Sequence, residues 1–167
     1  MWAPTNNRHR RALHAGVAVA ALLIAGCSAD PPAPPPPSLA YAGLPVSGSL
    51  ADARRAGFDN CLEIDGGHVR CRRSGVMLLG EGPYEAALDL TGGGGASGFR
   101  QITLWHDRDQ SAVLKVGEAL KKKGWAFSYT GEGGRGDQMI LTQKGAPVHF
   151  SIDLSYWGKR RVRILPE

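Results

Sequence analysis

The residues with the types and spacing to do chemistry sit near the C-terminus. His149, Ser151, Asp153 and Ser155 alternate with apolar neighbours, and alternate residues of a strand share one face. A histidine, two hydroxyls and a carboxylate are the parts of acid–base or nucleophilic catalysis. Side chains two apart on a strand stand about 7 Å from each other, too far for a direct proton relay. The row therefore reads as a solvated or shallow binding face, and no catalytic residue is assigned. His68 and His106 stand alone in the sequence, and no histidine pairs with another at helical ligand spacing, so neither a metal nor a cofactor is expected. Gly-x-Ser-x-Gly, His-Glu-x-x-His and Cys-x-x-Cys do not occur. The glycine-rich run from Thr91 to Gly98 lacks the Gly-Lys-Ser/Thr of a phosphate loop, and a strand rather than a helix follows it, which excludes a dinucleotide fingerprint. Trp125, Phe127 and Tyr129 alternate with the small residues Ala126, Ser128 and Thr130. They form an aromatic face that either joins the core or lines a pocket between helix and sheet.

The N-terminus fixes where such a domain works. Arg8, Arg10 and Arg11 precede a short apolar core, Gly16 to Ala25. A membrane span needs about 20 apolar residues, so the pattern is that of a removable export signal. It ends in Leu23-Ile24-Ala25-Gly26-Cys27, which resembles the lipobox of bacterial prolipoproteins at every position. The resemblance implies cleavage after Gly26, a signal peptide spanning 1–26, and a thioether-linked diacylglycerol on Cys27, often with a further fatty chain such as palmitate on its amine. Two or three acyl chains anchor a protein firmly, whereas one binds reversibly. In a Gram-negative cell, Ser28 resembles the outer-membrane address rather than the aspartate of inner-membrane retention. The expected location is the cell envelope, lipid-anchored and facing the periplasm.

Six of the eleven prolines lie between Pro31 and Pro37. Such a run favours polyproline II and, at about 3.1 Å per residue, spans roughly 20 Å, which makes 27–38 a semi-rigid linker. Losing 1–26 removes three arginines and no acid, leaving 17 basic against 15 acidic residues, a net charge of +2. That balance gives no case for nucleic acid as a partner. The expected partners are the membrane, through the lipid anchor, and another envelope protein.

Residues 39–167 are expected to form one domain. An exported chain permits disulfides, and with Cys27 lipidated as the resemblance implies, Cys61 and Cys71 are expected to pair. They flank Asp65-Gly66-Gly67, a hairpin signal. A three-residue loop sets the cysteines opposite each other. A two-residue Gly66-Gly67 turn puts them on opposite faces unless the strand bulges. Ser49 and Gly57 bracket a short helix. Val76–Leu79 and Ala86–Leu90 suggest short strands, and Gln101–Trp105 another. A helix starting at Asp107, with Gln110 as capping partner, should bury Val113, Val116, Gly117 and Leu120 and end in Lys121-Lys122-Lys123-Gly124. Strands follow from Trp125, Gln138, Val148 and Arg161, with Arg161 and Arg163 facing water at a sheet edge. These elements predict an α+β fold: one main helix packed on an antiparallel sheet. From Gln101 to Leu165 the element order is similar to cystatin-like folds, without their glutamine-valine-glycine loop.

Two functions of different class fit. The first is a membrane-anchored adaptor whose domain binds a protein or peptide. The second is a periplasmic small-molecule or lipid binder, or an enzyme, with a pocket between helix and sheet.

Overall fold

The computed structural model describes residues 39–132, 134–155 and 158–167. The signal, Cys27 and the linker lie outside the described residues.

The domain opens with a ribbon of β1 (Ala40–Tyr41) and β2 (Leu44–Pro45). Helix α1 (Leu50–Arg55) follows. Its start is a capping box: the Ser49 N–H and Oγ donate to Asp52 Oδ2 at 2.7 and 2.8 Å. Gly57, at φ +82°, turns the chain out of the helix.

Eight strands then build one antiparallel sheet. They are β3 (Asn60–Asp65), β4 (His68–Leu78), β5 (Glu81–Thr91), β6 (Gly98–Trp105), β7 (Ala126–Tyr129), β8 (Gln138–Thr142), β9 (Val148–Asp153) and β10 (Val162–Pro166). Their spatial order is β3-β4-β5-β6-β10-β9-β8-β7. Helix α2 (Ala112–Lys122) is the one helix of seven or more residues among the described residues.

The fold is therefore mostly β, which overturns the α+β class and the cystatin-like comparison attached to it. The reason lies in β4 and β5. Each runs for eleven residues, where the apolar pattern shows only a hairpin arm and two short strands. Arginines on the wet face of β4 interrupt its apolar run. On β5, Ala86 to Leu90 are buried on both faces, which erases the alternation that marks a strand. The pair continues past Ser74 and Gly75 through a register shift between Arg73 and Val76.

One face of the sheet carries the core. Val69, Val76, Leu78, Leu88, Leu90, Ile102, Leu104, Leu141, Phe150, Ile152, Val162 and Ile164 are all buried. Each large side chain of this kind contributes about 1.5–3 kcal/mol through burial. Val113, Val116 and Leu120 of α2 press onto this face. Gly117 lets the helix come close, since a Cβ there would sit 2.3 Å from Met139 Cε. The Tyr84 hydroxyl donates to the Ala112 carbonyl at 2.9 Å and pins the first residue of α2 to β5. Trp125 meets Phe150 and Tyr41 edge-on, at 5.1 and 5.7 Å between ring centres.

Three local expectations resolve in detail. Cys61 pairs with Cys71 across β3 and β4, and the two sulfurs are bonded. A two-residue turn at Gly66-Gly67 pairs Asp65 with His68, and a bulge between Glu63 and Asp65 restores the facing of the cysteines. The helix expected from Asp107 begins four residues later, after Ser111. Asp107 instead binds Lys159 at 2.7 Å, and Gln110 Oε1 accepts from the Arg160 N–H at 3.2 Å. Finally, β10 is not at an edge. It lies between β6 and β9, so Arg163 is carried to the middle of the sheet.

Candidate functional site

The second face of the sheet is polar, and its centre is hollow. The registers define one row running straight across four strands, Arg72–Ala87–Thr103–Arg163. The two middle residues are small and form a floor on β5 and β6. The two outer ones are long and form walls. Neighbouring strands are about 4.8 Å apart, so the backbones carrying Arg72 and Arg163 are separated by roughly 14 Å. The row Arg70–Asp89–Gln101 lies on one side of the floor, and the Glu85–Trp105 pair lies on the other. Asp107, Lys159 and Arg161 complete the rim of a space of about 530 Å³.

The arginines of this face fall into two kinds. Arg70 and Arg163 are held by carboxylates. Arg70 Nε and Nη2 donate to the two oxygens of Asp89 at 2.7 and 3.1 Å. Gln101 Nε2 donates to Asp89 at 3.0 Å, and His68 Nε2 lies 3.3 Å from it. Asp89 is only 1% exposed. Burial opposes its ionisation, but the hydrogen bonds from Arg70 and Gln101 and the charges of Arg70 and His68 win, holding its carboxyl below the usual range. The same hydrogen bond from Arg70 raises the pKa of that guanidinium. Arg163 makes a matching two-pronged contact with Asp153, at 2.6 and 3.2 Å.

Arg72 and Arg161 are the other kind. Both are exposed, and neither has a carboxylate partner among the described residues. Arg72 lies 5.9 Å from the Trp105 ring centre, and Lys159 Nζ lies at the same distance. Trp105 Nε1 donates to Asp107 at 3.1 Å. Asp107 also accepts from Lys159, and this hydrogen bond lowers its pKa most. The hollow thus has two fixed guanidiniums, two free ones, and an aromatic wall lined by cations.

The expected row lies on this same face, and its groups are tied to other partners. His149 Nδ1 is 3.3 Å from Glu167. Ser151 is buried, and its Oγ donates to Gln138 Oε1 at 2.5 Å. Asp153 takes Arg163. Asp153 and Ser155 line a smaller recess of about 320 Å³ that shares Lys159, Arg161 and Arg163 with the main hollow. The row is therefore one flank of a larger polar face. Its two walls are joined only by a remote pairing: β6 takes β10 as its neighbour, which brings Arg161 and Arg163 across the floor from Arg70 and Arg72. The alternation Arg70-Cys71-Arg72 is the one local signal of this face.

The aromatic trio separates. Trp125 is buried, while Phe127 and Tyr129 are 51% and 53% exposed on the edge strand β7. They meet each other edge-on at 5.8 Å, and Lys121 Nζ lies 4.4 Å from the Phe127 ring centre. Among the described residues no three His, Cys, Asp or Glu side chains converge to hold a metal, and no helix is long and apolar enough to cross a membrane. No family model, curated protein or solved structure matches this chain.

Proposed function

We propose that this protein is a lipid-tethered binding module of the cell envelope, holding a protein or peptide partner on the polar face of its sheet. Residues 1–26 export the chain, Cys27 anchors it, 27–38 space it from the bilayer, and 39–167 bind. The observation that carries the reading is the contrast between the two faces of one sheet. The helix side is filled by buried apolar side chains. The opposite side is open, concave and lined with arginines, two of which, Arg70 and Arg163, are set in place by neighbouring carboxylates. Arginine with an aromatic neighbour is a frequent composition for recognition surfaces.

The second reading, a ligand or substrate pocket between helix and sheet, draws less support. Trp125 is committed to Phe150 and Tyr41, Phe127 and Tyr129 stand at the open edge, and Met139 occupies the space at Gly117.

Photocrosslinking in intact cells tests the module. A crosslinkable residue at Thr103 should give a discrete adduct, and one at Lys122 on the far side of α2 should not. Adducts at neither position, or equally at both, would refute the use of this face. Cell fractionation tests the tether: Cys27→Ala should move the protein out of the membrane fraction, and unchanged sedimentation would refute it.

A further inference from the structure

Resting on that reading, we infer that the hollow takes an acidic peptide segment, a run of aspartate or glutamate on the partner, lying across β5 and β6 between the two pairs of arginines. The class of ligand follows from charge and spacing. Arg70, Arg72, Lys159, Arg161 and Arg163 face the hollow, against Glu85 and Asp107 on its rim; Lys159 is paired with Asp107, so the excess positive charge rests on Arg72 and Arg161. Asp89 and Asp153 are occupied by Arg70 and Arg163. A guanidinium that gives two N–H groups to one carboxylate keeps its remaining donors for another acceptor, and it loses little freedom when that acceptor arrives. Arg72 and Arg161 have no internal carboxylate to exchange, so an incoming one does not compete with a partner already present.

The spacing decides between one compact anion and an extended one. A single phosphate needs donors converging within about 3 Å of its oxygens. Here the walls rise from backbones roughly 14 Å apart. Arg163 is drawn towards Asp153 on β9, away from the floor, and Arg70 is drawn down onto Asp89. Arg70 and Arg161 lie on opposite sides of the central row, each two residues, or about 7 Å of extended chain, from the arginine in it. Four cationic points at such separations match alternate carboxylates of an extended chain, whose same-face side chains repeat about every 7 Å. The floor of Ala87 and Thr103 leaves room for a peptide backbone, and the Trp105 ring offers an apolar surface to the stems of its side chains.

Calorimetric titration of the full chain in neutral detergent, with a hexaglutamate peptide as probe, tests the inference. Binding should be measurable at low salt and weaken at physiological salt. Arg72→Gln with Arg161→Gln should weaken it at least about tenfold, with an unchanged melting temperature, since neither side chain braces the fold. Lys122→Gln with Lys123→Gln removes the same charge from α2 and should leave binding as it was. Equal weakening by both pairs, equal binding of hexalysine, or no binding of hexaglutamate would overturn the inference. So would inorganic phosphate displacing the peptide at equal concentration, or phosphatidylglycerol vesicles binding in its place, because either would assign the arginines to another anion. Failure here together with a Thr103 adduct in cells would remove the acidic ligand and keep the module. A charge-specific peptide complex without any adduct would do the reverse.

Discussion

Asp89 is the residue on which the shape of the polar face most depends, and Asp89→Asn is its sharpest test. The carboxylate is buried and accepts from Arg70 twice and from Gln101 once, with His68 at 3.3 Å. Removing one partner of a fully buried ion pair costs about 3–5 kcal/mol. Arg70 is not fully buried: its side chain is 38% exposed, so water can reclaim part of its charge. The amide oxygen of asparagine also still accepts one hydrogen bond. Both discounts bring the expected loss to about 2 kcal/mol. In a domain of this size that is a fall in melting temperature of roughly 6–10 °C. Circular dichroism melts of the full chain and of the variant would measure it. The pH dependence gives an independent check. A carboxyl whose pKa is lowered by folding stabilises the fold above its unfolded value, near 3.9, and this contribution is lost as pH falls through the folded value. Wild type should therefore lose stability below about pH 4 more steeply than Asp89→Asn. A melting temperature within a degree or two of wild type, or identical acid limbs, would refute the view that this carboxylate holds Arg70 in place.

Two further predictions concern the scaffold. Burial first, then the charges of Glu81 and Asp109, push the Tyr84 hydroxyl up to about 12, so stability should fall as pH rises from about 10 to 12. Tyr84→Phe should flatten that alkaline limb in thermal melts while costing about 1–2 kcal/mol near neutrality through the lost bond to Ala112; an unaltered limb would count against it. Reducing the Cys61–Cys71 bond should destabilise the fold by up to about 3 kcal/mol in urea titrations, the entropy of a loop of about ten residues. No shift in the unfolding midpoint under reductant would show that the hairpin holds its register unaided.

The sequence is legible where a short stretch carries its own signal. Ser49 and Gly57 mark α1, four apolar positions mark the buried face of α2, and strict alternation marks β9. The cysteine spacing found its partner through a bulge at Ile64 that the Gly-Gly turn made necessary. The sequence is silent where the deciding contacts are remote. The lateral order of strands is not written in any one segment, and β10 slips between β6 and β9 because its Val162 and Ile164 match Leu104 and Ile102. That insertion turns Arg163 from an edge guard into a wall of the hollow. Asp107 looked like a helix cap because its pull towards Lys159, 52 residues away, is invisible locally. Phe127 and Tyr129 looked like core because alternation records that residues share a face, not whether anything covers it.

The floor of the hollow rests on β5 and β6, which have two strands outside them on one side and four on the other. Fraying at either rim of the sheet leaves those two strands paired, so the base of the recess is the last part of it to change shape. Its sides are built from side chains with several rotatable bonds. Rigid support beneath pliable arms lets the recess accommodate ligands of varied outline while still sorting them by the sign of their charge.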